Sequence, residues 1–336
     1  MTSLLHTRFP ALEQTLPRLP LCQLPTPVRA LPAVASEAAT DAGVWVKDDS
    51  LSSPLWGGNK PRKLEWILAD AERRRRRTII TFGGLGTNHG LATALYARQL
   101  GMRCVLALVD QPLDDHVTAQ LERIRASGAR VHLTHSTART VATLPYLLLR
   151  YGQAQPPRLP YWLAPGGSSP VGSLGFVEAA LELGEQIRRG ELPKPETIVV
   201  TLGSGGTVAG LLLGLRLARL DSRVLAVLVS DKLRLSDKVL LRLARRTERL
   251  LERRGALLPP LELSPADVEV RDEWLGGGYG HRIPAGEHAT AVARRDGLEL
   301  DPVYTAKTVA ALLAGLRDRT LAGPVLYWHT QNAVAL

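Results

Sequence analysis

"TIITFGGLGTNHGLATALYARQLGMRCVLALV", residues 78–109, decides the architecture of this chain. Its opening, 78–84, is an apolar, β-branched run that stops at a glycine pair, as a strand entering a turn does. Residues 91–100 read as a helix and 103–109 as a second apolar strand. Strand, helix, strand is the pattern of a parallel, doubly wound layer, so the fold class is α/β. The same alternation continues on both sides. Upstream come a strand at 43–49 and a helix at 64–77, with Leu64, Ile67, Leu68 and Ala71 spaced to form one apolar stripe. Downstream come a helix at 114–128 with a glycine stop and a strand at 130–135. The proline-rich stretch 150–165 marks a boundary. Beyond it lie a glycine/serine turn feeding a helix (166–187), a strand–glycine loop–helix unit (197–218), a strand at 223–230 and a long basic helix at 234–254. A looser glycine segment (276–284), a helix near 287–296, a turn into another helix (300–308) and a last strand (324–330) complete the chain.

The 336 residues allow one large or two ordinary domains, and 45% hydrophobic with 22% charged residues is ordinary for a soluble globular protein. A formal charge of +10 favours an anionic partner. Much of the excess sits in helix-like runs, Arg73 to Arg77, Arg242 to Arg254 and Arg294–Arg295, with no aromatic residues interleaved. That reads as solvated surface and argues against nucleic-acid binding. Cys22 and Cys104 lie far apart in apolar contexts and suit neither a disulfide framework nor a metal site. No run approaches a membrane span and no secretory leader opens the chain, so a cytoplasmic, soluble protein without a metal is expected.

Chemistry concentrates at strand-to-helix corners. Gly203-Ser204-Gly205-Gly206-Thr207 offers free backbone N–H groups at a helix start, a phosphate cradle. It lacks the ending of a nucleotide-triphosphate loop, and Val208 occupies the third glycine position of a dinucleotide fingerprint. Thr87-Asn88-His89-Gly90 and Gly166-Gly167-Ser168-Ser169 form two further donor-rich corners. The segment "GGNKPRK" (57–63) places Lys60, Arg62 and Lys63 at a helix entrance, where the dipole repels cations. Such a place disfavours the charged form of a lysine and prepares its amine to attack an aldehyde. Pro61, read as the first helical residue, is expected to push Lys60 into an extended conformation, and Lys63 to neutralise a phosphate. On chemistry alone this suggests a Schiff-base lysine for pyridoxal phosphate, against the alternative of a basic surface loop.

Five segments together carry a resemblance: 46–71, 83–101, 164–182, 199–215 and 296–309, the first containing the specific "GGNKPRKLE". In that order they resemble the fold-type II pyridoxal-phosphate enzymes of the 1-aminocyclopropane-1-carboxylate (ACC) deaminase and D-cysteine desulfhydrase family. The resemblance implies two domains, each a twisted parallel-type sheet flanked by helices: residues 1–60 with 166–336 as the larger, cofactor-binding one, and 61–165 as the smaller. It implies a Schiff base on Lys60, phosphate contacts from Lys63 and from Gly203, Ser204, Gly205, Gly206 and Thr207, and Asn88 at the cofactor 3-hydroxyl. Thr87 is implied beside the reacting carbon, and the N–H groups of Thr87, Asn88 and His89 on the substrate carboxylate. Tyr279 and Tyr304 are implied on the substrate side. Thr305 falls where ACC deaminases are expected to carry a glutamate facing the pyridine nitrogen, and His89 where they tend to have glutamine. Both features resemble the desulfhydrase branch. The family's habit further implies a homodimer.

Departures from the family pattern bear on the substrate: threonine for serine at 87, Leu91 for an arginine, and Gln331–Asn332 for a glycine pair. The expected reaction is β-elimination from D-cysteine to pyruvate, sulfide and ammonia. Alternatives are ACC ring opening to 2-oxobutyrate, a racemase, or β-replacement on another small amino acid. A nicotinamide dehydrogenase would need an acidic residue closing the next strand, where Ser230–Asp231 comes late; a basic, non-enzymatic binding protein is the remaining reading.

Overall fold

The computed structural model describes residues 3–154 and 157–335. Ten strands form two sheets. In chain order they are β1 (Val28–Ala30), β2 (Val44–Asp48), β3 (Thr78–Gly84), β4 (Arg103–Val109), β5 (Arg130–His135), β6 (Tyr161–Trp162), β7 (Thr197–Leu202), β8 (Arg223–Leu228), β9 (Val268–Arg271) and β10 (Val325–His329). The larger sheet has the order β1-β2-β10-β7-β8-β9 and the smaller β5-β4-β3-β6. All recorded pairings are parallel except β1 with β2. Parallel strands need crossovers, and helices supply them. After the short N-terminal helices α1 (Leu4–Arg8), α2 (Leu12–Thr15) and α3 (Pro32–Glu37) come α4 (Asn59–Arg73), α5 (Asn88–Gln99), α6 (Asp115–Ala126) and α7 (Thr137–Arg150). The chain continues with α8 (Pro170–Arg188), α9 (Gly206–Leu217), α10 (Asp237–Arg253), α11 (Pro284–Arg295) and α12 (Thr305–Arg317).

Period-two alternation sends side chains to both faces of each sheet. On β7, Ile198, Val200 and Leu202 enter a core with α8, α9 and α10, while Val199 enters a second core with α11 and α12. On the smaller sheet, Ile79, Cys104, Leu106 and Leu108 pack under α4 and α5, and Ile80, Val105 and Ala107 face α7. The predicted stripe of Leu64, Ile67, Leu68 and Ala71 lies in the smaller sheet's core, whereas Trp66 of the same helix lies in the larger one's. α4 is therefore shared by both halves.

Several elements differ from the expectation. α4 starts at Asn59 rather than 64 and ends at Arg73 rather than 77. Lys60 is helical, not extended, and Pro61 is the third helical residue, where a missing N–H still leaves no helical bond unmade. Arg74 caps the helix and Arg75 turns into the left-handed region with φ 54°. α7 went unread because Pro145 stands inside it and prolines normally end helices. β6 and β9, of two and four residues, are too short to show a period. Ahead of β2 the chain also carries the short elements α1, α2, β1 and α3.

Arg62, on the first turn of α4, is buried among carboxylates. Its guanidinium donates to Asp49 (Nε–Oδ2 3.0 Å, Nη2–Oδ1 2.8 Å) and to Glu182 on α8 (Nη1–Oε2 3.0 Å). Lys47 of β2 donates to Glu182, to the Thr26 carbonyl at 2.6 Å and to Gln186 at 2.6 Å. Trp328 of β10 donates its indole N–H to Asp49 at 2.9 Å. Two cations face two carboxylates, so the group is balanced and multiply hydrogen-bonded, the condition under which buried charge is tolerated. Burial pushes the Glu182 carboxyl up, but Arg62 and Lys47 outweigh it and hold its pKa at about 2. Replacing Arg62 by methionine leaves two buried carboxylates without their main partner. It should lower unfolding free energy by about 3–5 kcal/mol, measured by urea denaturation near neutral pH. Glu182 is depressed below its unfolded value of about 4.3, so its stabilisation is present above that pH. The urea midpoint of the native protein should fall as pH drops from about 4 towards about 2, and Glu182→Gln should flatten that dependence.

Candidate active site

A cavity of about 240 Å³ opens between the two sheets, at the carboxyl ends of β3, β4, β7, β8 and β10. Ligands of open α/β folds bind at such strand ends. Five helices of the described residues begin at its wall: α4 with Lys60, α5 with Asn88, α7 with Thr137, α9 with Thr207 and α12 with Thr305. Their free N–H groups and dipoles make the cavity positive in potential.

Lys60 lines this cavity, and its Nζ donates to Asn59 Oδ1 at 2.6 Å. Loss of water in the cavity wall lowers its pKa to about 8, a shift that the Asp301 carboxylate opposes. Lys63, one turn on, is buried, donates to the Gly166 carbonyl at 3.0 Å and lies 6.0 Å from the centre of the Phe176 ring. Burial, then the neighbouring Lys60 charge, holds its pKa well below the ordinary lysine value. Neither lysine forms a salt bridge among the described residues.

The glycine loop faces them. Gly205 has φ 89°, a left-handed conformation open to glycine, and caps α9. Asn59 Nδ2 reaches Thr207 Oγ1 at 3.3 Å, tying the lysine helix to the loop. Gly203, Ser204, Gly205 and Thr207 line the cavity. Gly206 does not: its N–H is donated to Ser168 Oγ at 2.9 Å, and Ser168 also bonds Ser204 at 2.8 Å. The Gly166–Ser169 corner thus braces the loop from behind. A Cβ on Gly166 would lie 2.0 Å from Ser204 Oγ.

Across the cavity, Thr87 caps α5 by accepting the Gly90 N–H at 3.1 Å. Its side chain requires glycine at 83, where a Cβ would meet Thr87 Oγ1 at 2.6 Å, and at 90, where it would meet Cγ2 at 2.4 Å. Asn88 accepts from Gln120 at 2.6 Å and approaches Asp301 Oδ2 at 3.5 Å. His89 contacts Thr81 Oγ1 through Nε2 at 3.3 Å, and its buried Nδ1 has no hydrogen-bond partner among the described residues. Burial, then Lys60 and Lys63, keeps this imidazole neutral by lowering its pKa well below the usual value. Tyr279 and Tyr304 meet hydroxyl to hydroxyl at 2.8 Å. Burial raises the pKa of both phenols, so both are protonated at neutral pH. Thr305 is buried at the α12 start and accepts the Asp301 N–H at 2.7 Å. Thr330, Gln331 and Asn332 close the wall beside Gly57 and Gly58.

All the sequence-derived site residues except Gly206 therefore line one cavity. Sequence reasoning missed Asp301, which touches Asn88 and, through the Tyr304 N–H, the α12 start. It also missed the tie that Asn59 makes, and took Ser168 for part of a ligand-facing donor corner where it braces Ser204 and Gly206; hydrogen bonds across the chain carry no sequence signal. Asp231, too late in the chain for a dehydrogenase's acidic residue, accepts the Tyr279 N–H at 3.1 Å. Among the described residues no cluster of His, Cys, Asp and Glu could hold a metal, and no helix is long and apolar enough to cross a membrane.

A lysine amine of lowered pKa, a second buried lysine and a glycine loop meet in one cavity, a set that suits an enzyme acting through a small anionic group. The chain belongs to the family described as pyridoxal-phosphate dependent enzymes, whose profile matches residues 19–331. It is 34% identical over 339 aligned residues to D-cysteine desulfhydrase of Salmonella choleraesuis and 33% identical to that of Salmonella newport, each match covering 98% of this chain and 96% of the relative. A crystal structure of an ACC deaminase homologue superposes with TM-score 0.82 and 31% identity over 99% of this chain and 96% of that one. Maize serine racemase, 17% identical over 97% of this chain and 95% of its own, shares the fold with TM-score 0.65. The protein is an α/β, fold-type II enzyme with pyridoxal 5'-phosphate as cofactor. The His89 Nδ1 without a hydrogen bond among the described residues, the two buried lysines and the glycine loop fit that anionic aromatic group.

A neutral amine attacks an aldehyde, so a lower lysine pKa brings attachment to lower pH. Recombining cofactor-free enzyme with cofactor should show an attachment rate rising with pH through about 8, where Lys60 titrates, not near the ordinary lysine value. Lys60→Ala should abolish the cofactor's visible protein-bound absorbance.

Proposed function

We propose that this enzyme is a lyase that eliminates the β-substituent of D-cysteine, giving pyruvate, sulfide and ammonia with consumption of one water. The observation that carries this reading is the one-third identity to D-cysteine desulfhydrases across essentially the whole chain. Thr305 supports it: a neutral, already hydrogen-bonded hydroxyl occupies the cavity position where the deaminase pattern has a carboxylate.

When bound, the cofactor supplies an electron sink that draws off the charge left by bond breaking at the substrate Cα. Lys63 and the loop Gly203–Thr207 would hold its phosphate, Gly206 by bracing Ser168 rather than by contact. Asn88 would meet its ring hydroxyl and Thr305 its ring nitrogen. The exposed N–H groups at the start of α5, around Thr87, Asn88 and His89, would orient the substrate carboxylate. Lys60, with its pKa of about 8, is suited to take the Cα proton. The Tyr279–Tyr304 pair, both protonated, is suited to donate a proton to the departing sulfur. Residues 1–60 with 166–336 would form the cofactor-holding domain and 61–165 the smaller one. We place the enzyme in the cytoplasm as a homodimer; its two free cysteines agree with a reducing compartment.

ACC ring opening is the second reading, supported by the full-length likeness to the ACC deaminase homologue. Pyruvate and sulfide should be released from D-cysteine at least about tenfold faster, per kcat/KM, than 2-oxobutyrate from ACC or pyruvate from L-cysteine. Production of 2-oxobutyrate alone would reverse the assignment. Tyr279→Phe should reduce kcat by about 100-fold if its hydroxyl serves the leaving group.

A further inference from the structure

The loop that carries Tyr279 is poor at holding anything still. Gly276, Gly277, Gly278 and Gly280 surround the tyrosine, and three of them have positive φ, 62° at Gly276, 102° at Gly278 and 90° at Gly280. Glycines lose the most conformational freedom on ordering. Yet the Tyr279 hydroxyl sits 2.8 Å from that of Tyr304, with the rings edge to face at 6.0 Å. Three groups keep it there. Asp231 accepts the Tyr279 N–H at 3.1 Å, and Asp301 accepts the Tyr304 N–H at 2.9 Å. The third is Lys307, three residues beyond Tyr304 on the first turn of α12.

Lys307 is fully buried, and its Nζ donates to the Leu275 carbonyl at 2.7 Å and the Gly278 carbonyl at 3.3 Å. Burial lowers its pKa, and the Asp231 and Asp301 carboxylates both act to restore its charge. One ammonium thus lies in the field of the two carboxylates that each hold one tyrosine's backbone, and it binds both ends of the glycine turn before Tyr279. We propose that Lys307 is a positioning residue: it ties the 275–278 turn to α12 and so sets the separation of the Tyr279 and Tyr304 hydroxyls. The proposal rests on the reading of these phenols as substrate-side proton donors.

Methionine at 307 keeps the length and apolar stem but removes the donors. For holoenzyme with Lys307→Met, kcat on D-cysteine should fall by about 10- to 100-fold, the scale of a misplaced catalytic group. KM should change by less than about threefold, because the contacts made equally in ground and transition state remain. Cofactor content per chain should stay unchanged. Hydrogen exchange followed by mass spectrometry should show faster exchange in residues 275–283, with 59–73 unaffected. Asp231→Ala, at an exposed position, should loosen the same segment without threatening the fold. Unchanged exchange at 275–283 in Lys307→Met, or a KM rise with kcat preserved, overturns the proposal. Should Lys307→Met fail to fold, Lys307→Gln, which removes the charge but keeps a polar buried group, decides: faster loop exchange with reduced kcat upholds the clamp, and the absence of both overturns it. The exchange measurement needs no turnover, so a wild-type enzyme inactive on D-cysteine would refute the substrate while leaving the clamp to be judged by the loop.

Discussion

The buried contact of Arg62 with Asp49 and Glu182 is the constraint on which the rest of the molecule hangs. A guanidinium cannot be left unpaired in an apolar interior, so α4 can dock in only one rotation and one height against α8. The docking is tight: a Cβ on Gly175 of α8 would lie 2.1 Å from the Arg62 carbonyl. Once Arg62 is fixed, Lys60 and Lys63, two residues before and one after, have their directions set by the helical turn. Lys47 and Trp328 join the same group from β2 and β10, linking the middle of the larger sheet to the helix that presents the lysine. Stability and catalytic geometry are supplied here by adjacent residues of one helical turn.

The site itself follows from convergence. α4, α5, α9 and α12 all begin at one cavity, and each contributes a helix N-terminus. Such ends favour an anion, while burial, and for Lys63 also the neighbouring Lys60 charge, depresses the pKa values of the lysines inside. An anionic phosphate and an anionic carboxylate relieve the conflict. The conflict suits the roles proposed for Lys60, since an amine kept near neutrality is a nucleophile and a base. Hydrogen bonds then knit the corners together, Asn59 to Thr207, Ser168 to both Ser204 and Gly206, and Asn88 towards Asp301, so that loops from distant parts of the chain hold a common shape.

Local residue order determined a good deal of this protein. The runs of β3 and β4 were legible to the residue because buried parallel strands are continuous apolar segments ended by glycine or polar turns, and β5, a largely exposed edge strand, was marked by the glycine stop before it. The three glycine corners and the lysine helix were legible because strand-to-helix turns demand glycine, hydroxyl and amide residues whatever the tertiary context. Their order along the chain was enough to point to the cofactor. Other features could be decided only in three dimensions. The start of α4 at Asn59, with Gly58 as its cap at φ 78°, depends on Asp49 and Thr330 carbonyls that accept the Gly58 and Asn59 N–H groups. α7 tolerates Pro145 because its Thr140 and Leu147 are buried in place. Arg62, alike in sequence to its cationic neighbours, became structural because Asp49 and Glu182 meet it, and Gly206 turned away from the cavity because Ser168 claims its N–H. Sequence carries what a residue prefers within a few neighbours; which charge is paired and which stays available is settled by partners as far off as the 120 residues between Arg62 and Glu182.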